Sequence, residues 1–324
     1  MRLNDMQTNN MTYKRKVSII GAGYVGASIA YALMTRELSR EIVLIDINEK
    51  ASMGEALDIK HGIPYMGSAM IYSGDYPDIV DSDLIIITAG RNRKPGEDRL
   101  QLASDNIKIA KSVTDQIKLY YNKGIILVVT NPVDIITYNV AKWMNLPNGR
   151  VFGTGCILDT SRLVSVIADY LSLSSEVVNG FVAGEHGDAQ FPVWSKMTIA
   201  GVSIYEYCES VGKRFDEEIQ NQLTNRVIKM GANIIENKGK THYGIATCVA
   251  YLADAVLNRR PTIASVASVF SGEYGINDCA LSVPSIVSGN GVEKRIVERM
   301  DDNEFANLKK SKEKICIVLN NFNE

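Results

Sequence analysis

Cysteine is scarce and scattered in this 324-residue chain. The five present, Cys156, Cys208, Cys248, Cys279 and Cys316, show no C-x-x-C spacing. That argues against a disulfide framework or a zinc knuckle and fits a reducing, cytoplasmic setting. They read as small buried apolar residues, and no metal site is expected. Histidine is scarcer still, with only His61, His186 and His242. Charge of one sign is lacking too: 35 Lys and Arg face 37 Asp and Glu, a net −2. With no basic block and no basic-aromatic stripe, nucleic acid is not an expected partner. No apolar run approaches the ~20 residues of a membrane-spanning helix, so no membrane partner is expected either. Residues Met1 to Asn10 are polar and lack the apolar segment of a signal peptide, so 1–14 reads as a flexible extension. Repeats, low-complexity tracts and Pro- or Ser-rich linkers are missing as well.

What is present is a core-forming composition, 46% apolar and 22% charged, long enough for one large domain or two ordinary ones. In the first half, short β-branched runs alternate with helical patterns. Candidate strands are 17–20, 42–46, 84–88 and 125–130. Each is continuously apolar, as strands covered on both faces are, which implies a parallel sheet between helix layers. One crossover helix is expected over 24–37. The second half differs, with helices expected over 156–171, 215–237 and 302–320, a strand over 177–184, and strands between 264 and 287. His61 and His242, beside glycine or tyrosine, read as turn residues. The fold class is therefore α/β, a Rossmann-type doubly wound parallel sheet followed by an α+β domain. We divide it into a dinucleotide-binding domain, 15–153, and a substrate domain, 154–324, sharing a large interface.

Gly21-Ala22-Gly23-Tyr24-Val25-Gly26 matches G-x-G-x-x-G. Its context strengthens it: a buried strand precedes, an apolar helix follows, and Asp46 ends the next strand twenty residues after Gly26. Glycines let the backbone approach a pyrophosphate, and a helix N-terminus offers free N–H groups. Asp46 suits ribose hydroxyls and repels a 2′-phosphate, so NAD is expected over NADP. The plain alternative is a structural turn.

Three further features carry chemistry. His186 lies in Gly184-Glu185-His186-Gly187-Asp188, directly after an apolar run, where a near-neutral imidazole suits reversible proton transfer. Asp159 and Arg162 lie three apart on the expected helix and share a face. They are either a surface ion pair or a divided tool, with Asp159 orienting His186 and Arg162 gripping a substrate carboxylate. Finally, Arg93 and Arg99 lie six residues apart around Pro95-Gly96 in the run Arg91 to Arg99. Such a loop can carry guanidinium groups over a bound carboxylate.

Taken together these motifs resemble the L-lactate/L-malate dehydrogenase family, from about Lys16 onward. The resemblance also includes Asn131-Pro132-Val133-Asp134, Gly153-Thr154-Gly155 and Thr241-His242-Tyr243-Gly244. It implies His186 as acid/base, Asp159 as its partner, and Arg99 as the group that polarises the carbonyl. It implies Arg162, Asn131 and Thr241 at the substrate. At the cofactor it implies Gly21, Gly23, Tyr24, Val25, Gly26, Asp46, Asn131, Thr154 and Ile245. A homotetramer, or next a dimer, acting on a small 2-hydroxy or 2-oxo acid follows from the same likeness. Where some relatives bind fructose 1,6-bisphosphate, this chain carries Val164 and Asn179, which implies no activation by that sugar phosphate.

Arg93 bears on the choice of acid. Lactate-type members carry a neutral glutamine at this loop position, and malate-type members an arginine. An arginine closed over a methyl group would be desolvated without a partner, whereas a second carboxylate would pair with it. The expectation is therefore L-malate dehydrogenase on a lactate-type scaffold. The alternative, L-lactate dehydrogenase, is favoured by Glu185, by Phe191 to Ser195 and by Thr241, and it leaves Arg93 an exposed loop charge. A bulkier 2-oxo acid would leave that charge unpaired, and a catalytically dead NAD-binding module would not need His186, Asp159, Arg99 and Arg162 together.

Overall fold

The computed structural model describes residues 15–66, 69–91, 99–297 and 299–320. Its first half alternates strand and helix as the apolar runs predict: β1 (Lys16–Ile20), α1 (Tyr24–Thr35), β2 (Glu41–Ile45), α2 (Glu49–Met66), β3 (Met70–Ser73), β4 (Leu84–Ile87), α3 (Arg99–Tyr120), β5 (Ile125–Val128), α4 (Val133–Met144) and β6 (Val151–Gly153). The second half has α5 (Ile157–Leu171), then short strands β7 (Val178–Asn179), β8 (Val182–Ala183), β9 (Phe191–Pro192), β10 (Thr198–Ile199) and β11 (Val202–Ser203). Helices α6 (Ile204–Ser210), α7 (Glu217–Lys238) and α8 (Tyr243–Leu257) follow. Long strands β12 (Thr262–Ser271), β13 (Asn277–Ser288) and β14 (Gly291–Arg295) precede the last helix, α9 (Asp302–Asn320).

The main sheet runs β14-β13-β12-β6-β5-β4-β1-β2-β3. From β3 to β6 every pairing is parallel, and β12 to β14 extend the sheet in antiparallel fashion. This is a Rossmann-like α/β fold with an α/β C-terminal part. The unbroken apolar strands have a direct cause. In β4, Leu84 and Ile86 enter one core with Ile29 and Leu33 of α1 and Val249 and Leu252 of α8. Its other residues, Ile85 and Ile87, enter a second core with Val113 and Ile117 of α3 and Ile136 and Val140 of α4. Neither face meets water, so no polar alternation is needed. Helix α8, from the second half, thus completes the core of the first.

Two expected details differ. The run 177–184 is not one strand: β7 pairs with β10, and β8 with β9, on either side of Gly180-Phe181. His61 lies within α2 rather than in a turn, because that helix continues through Gly62 and Pro64 to Met66. His242 is the residue that precedes α8 as its N-cap.

Candidate active site

Parallel strands deliver their C-terminal ends, and the loops that follow, to one edge of the sheet. There the Gly21–Gly26 turn joins β1 to α1. The Gly21 N–H donates to the Ile45 carbonyl (2.7 Å), and the Thr88 hydroxyl donates to the Gly21 carbonyl (2.6 Å). Asp46, just past β2, accepts from the Ala22 N–H through Oδ2 (2.7 Å) and from the Asn48 N–H through Oδ1 (2.9 Å). Its carboxylate is thereby fixed beside the turn. A Cβ on Gly23 would meet nothing within 4 Å, whereas one on Gly26 would stand 1.9 Å from the Gly21 carbonyl oxygen. The turn is closed on its inner side and open on its outer side, a cradle that fits the pyrophosphate of NAD. Gly26→Ala is expected to cost about 1–3 kcal/mol, since backbone rather than a flexible side chain must move. A lower Tm and weaker NADH binding by fluorescence titration will check it.

The candidate acid/base group is built where α5 meets the loop after β8. Asp159, in the first turn of α5, is 1% exposed in its side chain. Its Oδ2 lies 2.5 Å from His186 Nδ1, and its Oδ1 accepts from Arg162 Nη1 at 3.1 Å. Burial alone would push the Asp159 carboxyl up, but His186 and Arg162 more than offset it and hold it below the ordinary range. The same competition appears at His186, which is 24% exposed. Burial works against its charge, yet the Asp159 charge and hydrogen bond raise it to about 9. Because Asp159 occupies Nδ1, Nε2 is left to meet a substrate.

The turn that presents His186 is pinned on all sides. Gly184 takes φ +95, a left-handed conformation that suits glycine, and pairs with Ser282 of β13 in a two-bond bridge. Ser311 of α9 donates to the Ala189 carbonyl (2.7 Å), and Lys314 of α9 bonds Glu185 (2.7 Å). Two buried residues escaped the sequence reading. With its amide nitrogen turned inward, Gln190 donates to both Asp159 oxygens (3.1 and 2.9 Å). Asp134 accepts the His186 backbone N–H at 2.7 Å. Asp134 lies within a quoted motif, yet nothing in the spacing pointed to a loop 52 residues away. Gln190 carried no signal.

The other expected residues lie on the following elements. Asn131 follows β5, and its carbonyl accepts from Asn106 (2.7 Å). Thr154 follows β6, buried, with its N–H on the Val128 carbonyl (2.9 Å). Thr241 and Ile245 flank the start of α8. That segment touches the nucleotide turn through the Tyr24 and His242 rings, 5.8 Å apart, and through His242 Nδ1 on the Ser28 hydroxyl (2.8 Å). Arg162 packs against Gly231 of α7, where a Cβ would stand 3.5 Å from Nη2. Arg99 opens α3. Arg93 lies outside the described residues. None of the five cysteines forms a disulfide. Among the described residues there is no cluster of His, Cys, Asp and Glu that could hold a metal, and no helix is long and apolar enough to cross a membrane.

Comparison with known proteins bears on the chemistry. Residues 15–153 match the family model of the lactate/malate dehydrogenase NAD-binding domain, and 156–323 that of the lactate/malate dehydrogenase alpha/beta C-terminal domain. The chain is 40% identical over 304 residues to the L-lactate dehydrogenase of Thermoanaerobacter pseudethanolicus, covering 94% of this chain and 98% of that one. It is 40% identical over 303 residues to the L-lactate dehydrogenase of Acetivibrio thermocellus, covering 94% and 96%. Among solved structures, the minor L-lactate dehydrogenase of Enterococcus mundtii superposes with a TM-score of 0.92 at 37% identity, covering 95% of this chain and 98% of that one. These relatives overturn the expectation of L-malate as substrate. That expectation weighed one loop arginine, Arg93, above Glu185, the Phe191–Ser195 run and Thr241, and the relatives side with the latter. The chain uses NAD and acts on the CH–OH group of a small 2-hydroxy acid. With both halves matched in order and His186 held at Nδ1 by the buried carboxylate of Asp159, the chain belongs to the lactate/malate dehydrogenase family.

Proposed function

We propose that this chain is an L-lactate dehydrogenase, interconverting pyruvate and L-lactate. The observation that carries the reading is the shared carboxylate of Asp159, which holds His186 by Nδ1 and Arg162 by Nη1. One site thereby presents a proton and a carboxylate grip together, and the names of the relatives favour the three-carbon acid. When bound, NAD accepts or supplies the hydride. His186 Nε2 gives its proton to the carbonyl oxygen during reduction and takes it back during oxidation. Arg162 retains donors beyond the one Asp159 uses and forks onto the substrate carboxylate. Arg99 comes from the start of α3 to stabilise the developing oxyanion. Asn131 and Thr241 line the substrate. Gly21, Gly23, Tyr24, Val25, Gly26, Asp46, Thr154 and Ile245 hold the dinucleotide. In this reading 15–153 carries the cofactor and 154–324 the substrate. A homotetramer is the assembly we favour. Exposed Met53 and Leu57 on α2 and Tyr243 and Tyr251 on α8 support a covered surface there.

The test is a side-by-side measurement of kcat/KM by NADH absorbance. Pyruvate is expected to exceed oxaloacetate by about tenfold or more; the reverse order overturns the assignment. Its pH dependence is a second expected outcome. Reduction uses the imidazolium, so with His186 at about 9 it holds steady below that value and falls roughly tenfold per pH unit above it. Oxidation of L-lactate uses the neutral ring and rises with pH toward the same point.

A further inference from the structure

Asp134 sits in the first turn of α4, is 2% exposed, and faces the back of the His186 turn. Its Oδ2 accepts the His186 backbone N–H at 2.7 Å, while Oδ1 meets no hydrogen-bond donor among the described residues. Helices α4 and α5 therefore each aim a buried carboxyl at the same histidine, one through the backbone and one through the ring. We propose that Asp134 is a second positioning carboxylate of the acid/base centre, anchoring the His186 backbone and stabilising the imidazolium by its charge. The proposal rests on the dehydrogenase reading above.

An uncharged acceptor would hold the N–H equally well and with less penalty. Burial raises the Asp134 carboxyl from its ordinary 3.8 to about 7, even though His186 draws it down. The groups that face it are His186 and Glu185 on the loop after β8, Asp159 and Cys156 at the start of α5, and Cys279 on β13. The Glu185 and Asp159 carboxylates both oppose further negative charge on Asp134, so His186 is the cation that draws it toward ionisation. Arg162 acts on His186 in the opposite sense, favouring its loss of a proton. Charge on His186 thus favours charge on Asp134, and the two titrate as a pair.

The experiment is Asp134→Asn in the full chain. The amide keeps an oxygen for the His186 N–H and loses the charge. By histidine NMR titration of the protein without substrate, the His186 midpoint is expected to fall by about one pH unit. The alkaline limb of pyruvate reduction should move down with it. The sign for stability is opposite to that of a lost contact. The folded value of Asp134 lies above its unfolded one, so stability falls as pH rises from about 4 to about 7, and removing the charge cancels that fall. The variant should therefore melt above wild type at about pH 8. Asp134→Ala, which loses the anchor as well, should lower kcat further than Asp134→Asn.

An unchanged His186 midpoint in Asp134→Asn, together with a lower Tm, would make Asp134 a packing residue and overturn the proposal. If neither variant folds, carboxyl NMR of Asp134 in wild type and His186→Gln decides: a wild-type midpoint near 7 that rises in His186→Gln supports the pair, and an ordinary low midpoint defeats it. A wild type that reduces no 2-oxo acid would sink the dehydrogenase reading alone, since the NMR arms need no turnover.

Discussion

His186→Gln is expected to lower kcat/KM for pyruvate by about a thousandfold or more. Glutamine can donate its amide to Asp159, so the buried carboxylate keeps a partner in place of the ring nitrogen 2.5 Å away. It has no proton to give near neutral pH. The loss therefore falls on the chemical step and not on the architecture. NADH affinity should stay within about twofold, because the hydrogen bonds that fix the Gly21–Gly26 turn and Asp46 run to Ile45, Thr88, Asn48 and one another, not to His186. Rapid-mixing measurement of a single turnover separates the two. A variant that retains more than about a tenth of wild-type single-turnover rate would remove His186 from the reaction. The alkaline fall near 9 should vanish along with the imidazole.

Arg162→Gln carries the second large effect, expected mainly in KM. The guanidinium is 12% exposed, held by Asp159 on one side and lying against Gly231 on the other. That fixed position leaves the fork pre-oriented for a carboxylate, where a flexible lysine would supply only a point charge. Losing a buried, charge-assisted pair costs about 3–5 kcal/mol, or roughly two to four powers of ten in kcat/KM. A control isolates the partner. Pyruvamide, which has no carboxylate, should be a poor substrate for wild type and should lose little more in the variant. An equal loss with both substrates would mean that Arg162 supports Asp159 and does not grip the acid. The variant also removes a cation that opposes protonation of His186, so its alkaline limb should move up, opposite to Asp134→Asn.

Much of this site was legible before any coordinates. His186, Asp159 and Arg162 stand out because each belongs to a short local pattern: glycines bracketing a histidine, and a carboxylate and guanidinium at helical spacing. The nucleotide turn is readable for the same reason, since strand, glycines and helix follow one another directly. Helix α2 was less readable. His61-Gly62 and Pro64 look like turn chemistry, yet the helix runs to Met66. There tertiary packing of Ala56 and Ile59 against the sheet core outweighs local preference. The choice of acid misled for a different reason: a single loop charge was asked to decide against a whole pocket.

The chain alone, then, determined the fold class and the local patterns that can carry chemistry: parallel strands with both faces apolar, a glycine turn for NAD, and candidates for an acid/base set. Those depend on neighbours a few residues apart, whose geometry follows from helix and strand periods. Only the tertiary structure decided which carboxyls meet His186. Asp159 lies 27 residues from it and Asp134 lies 52 away. Their approach is set by α4 and α5 packing against one sheet, and it turns an ordinary imidazole into one raised to about 9. A side chain's charge state answers to what surrounds it in space, and no local spacing reports that.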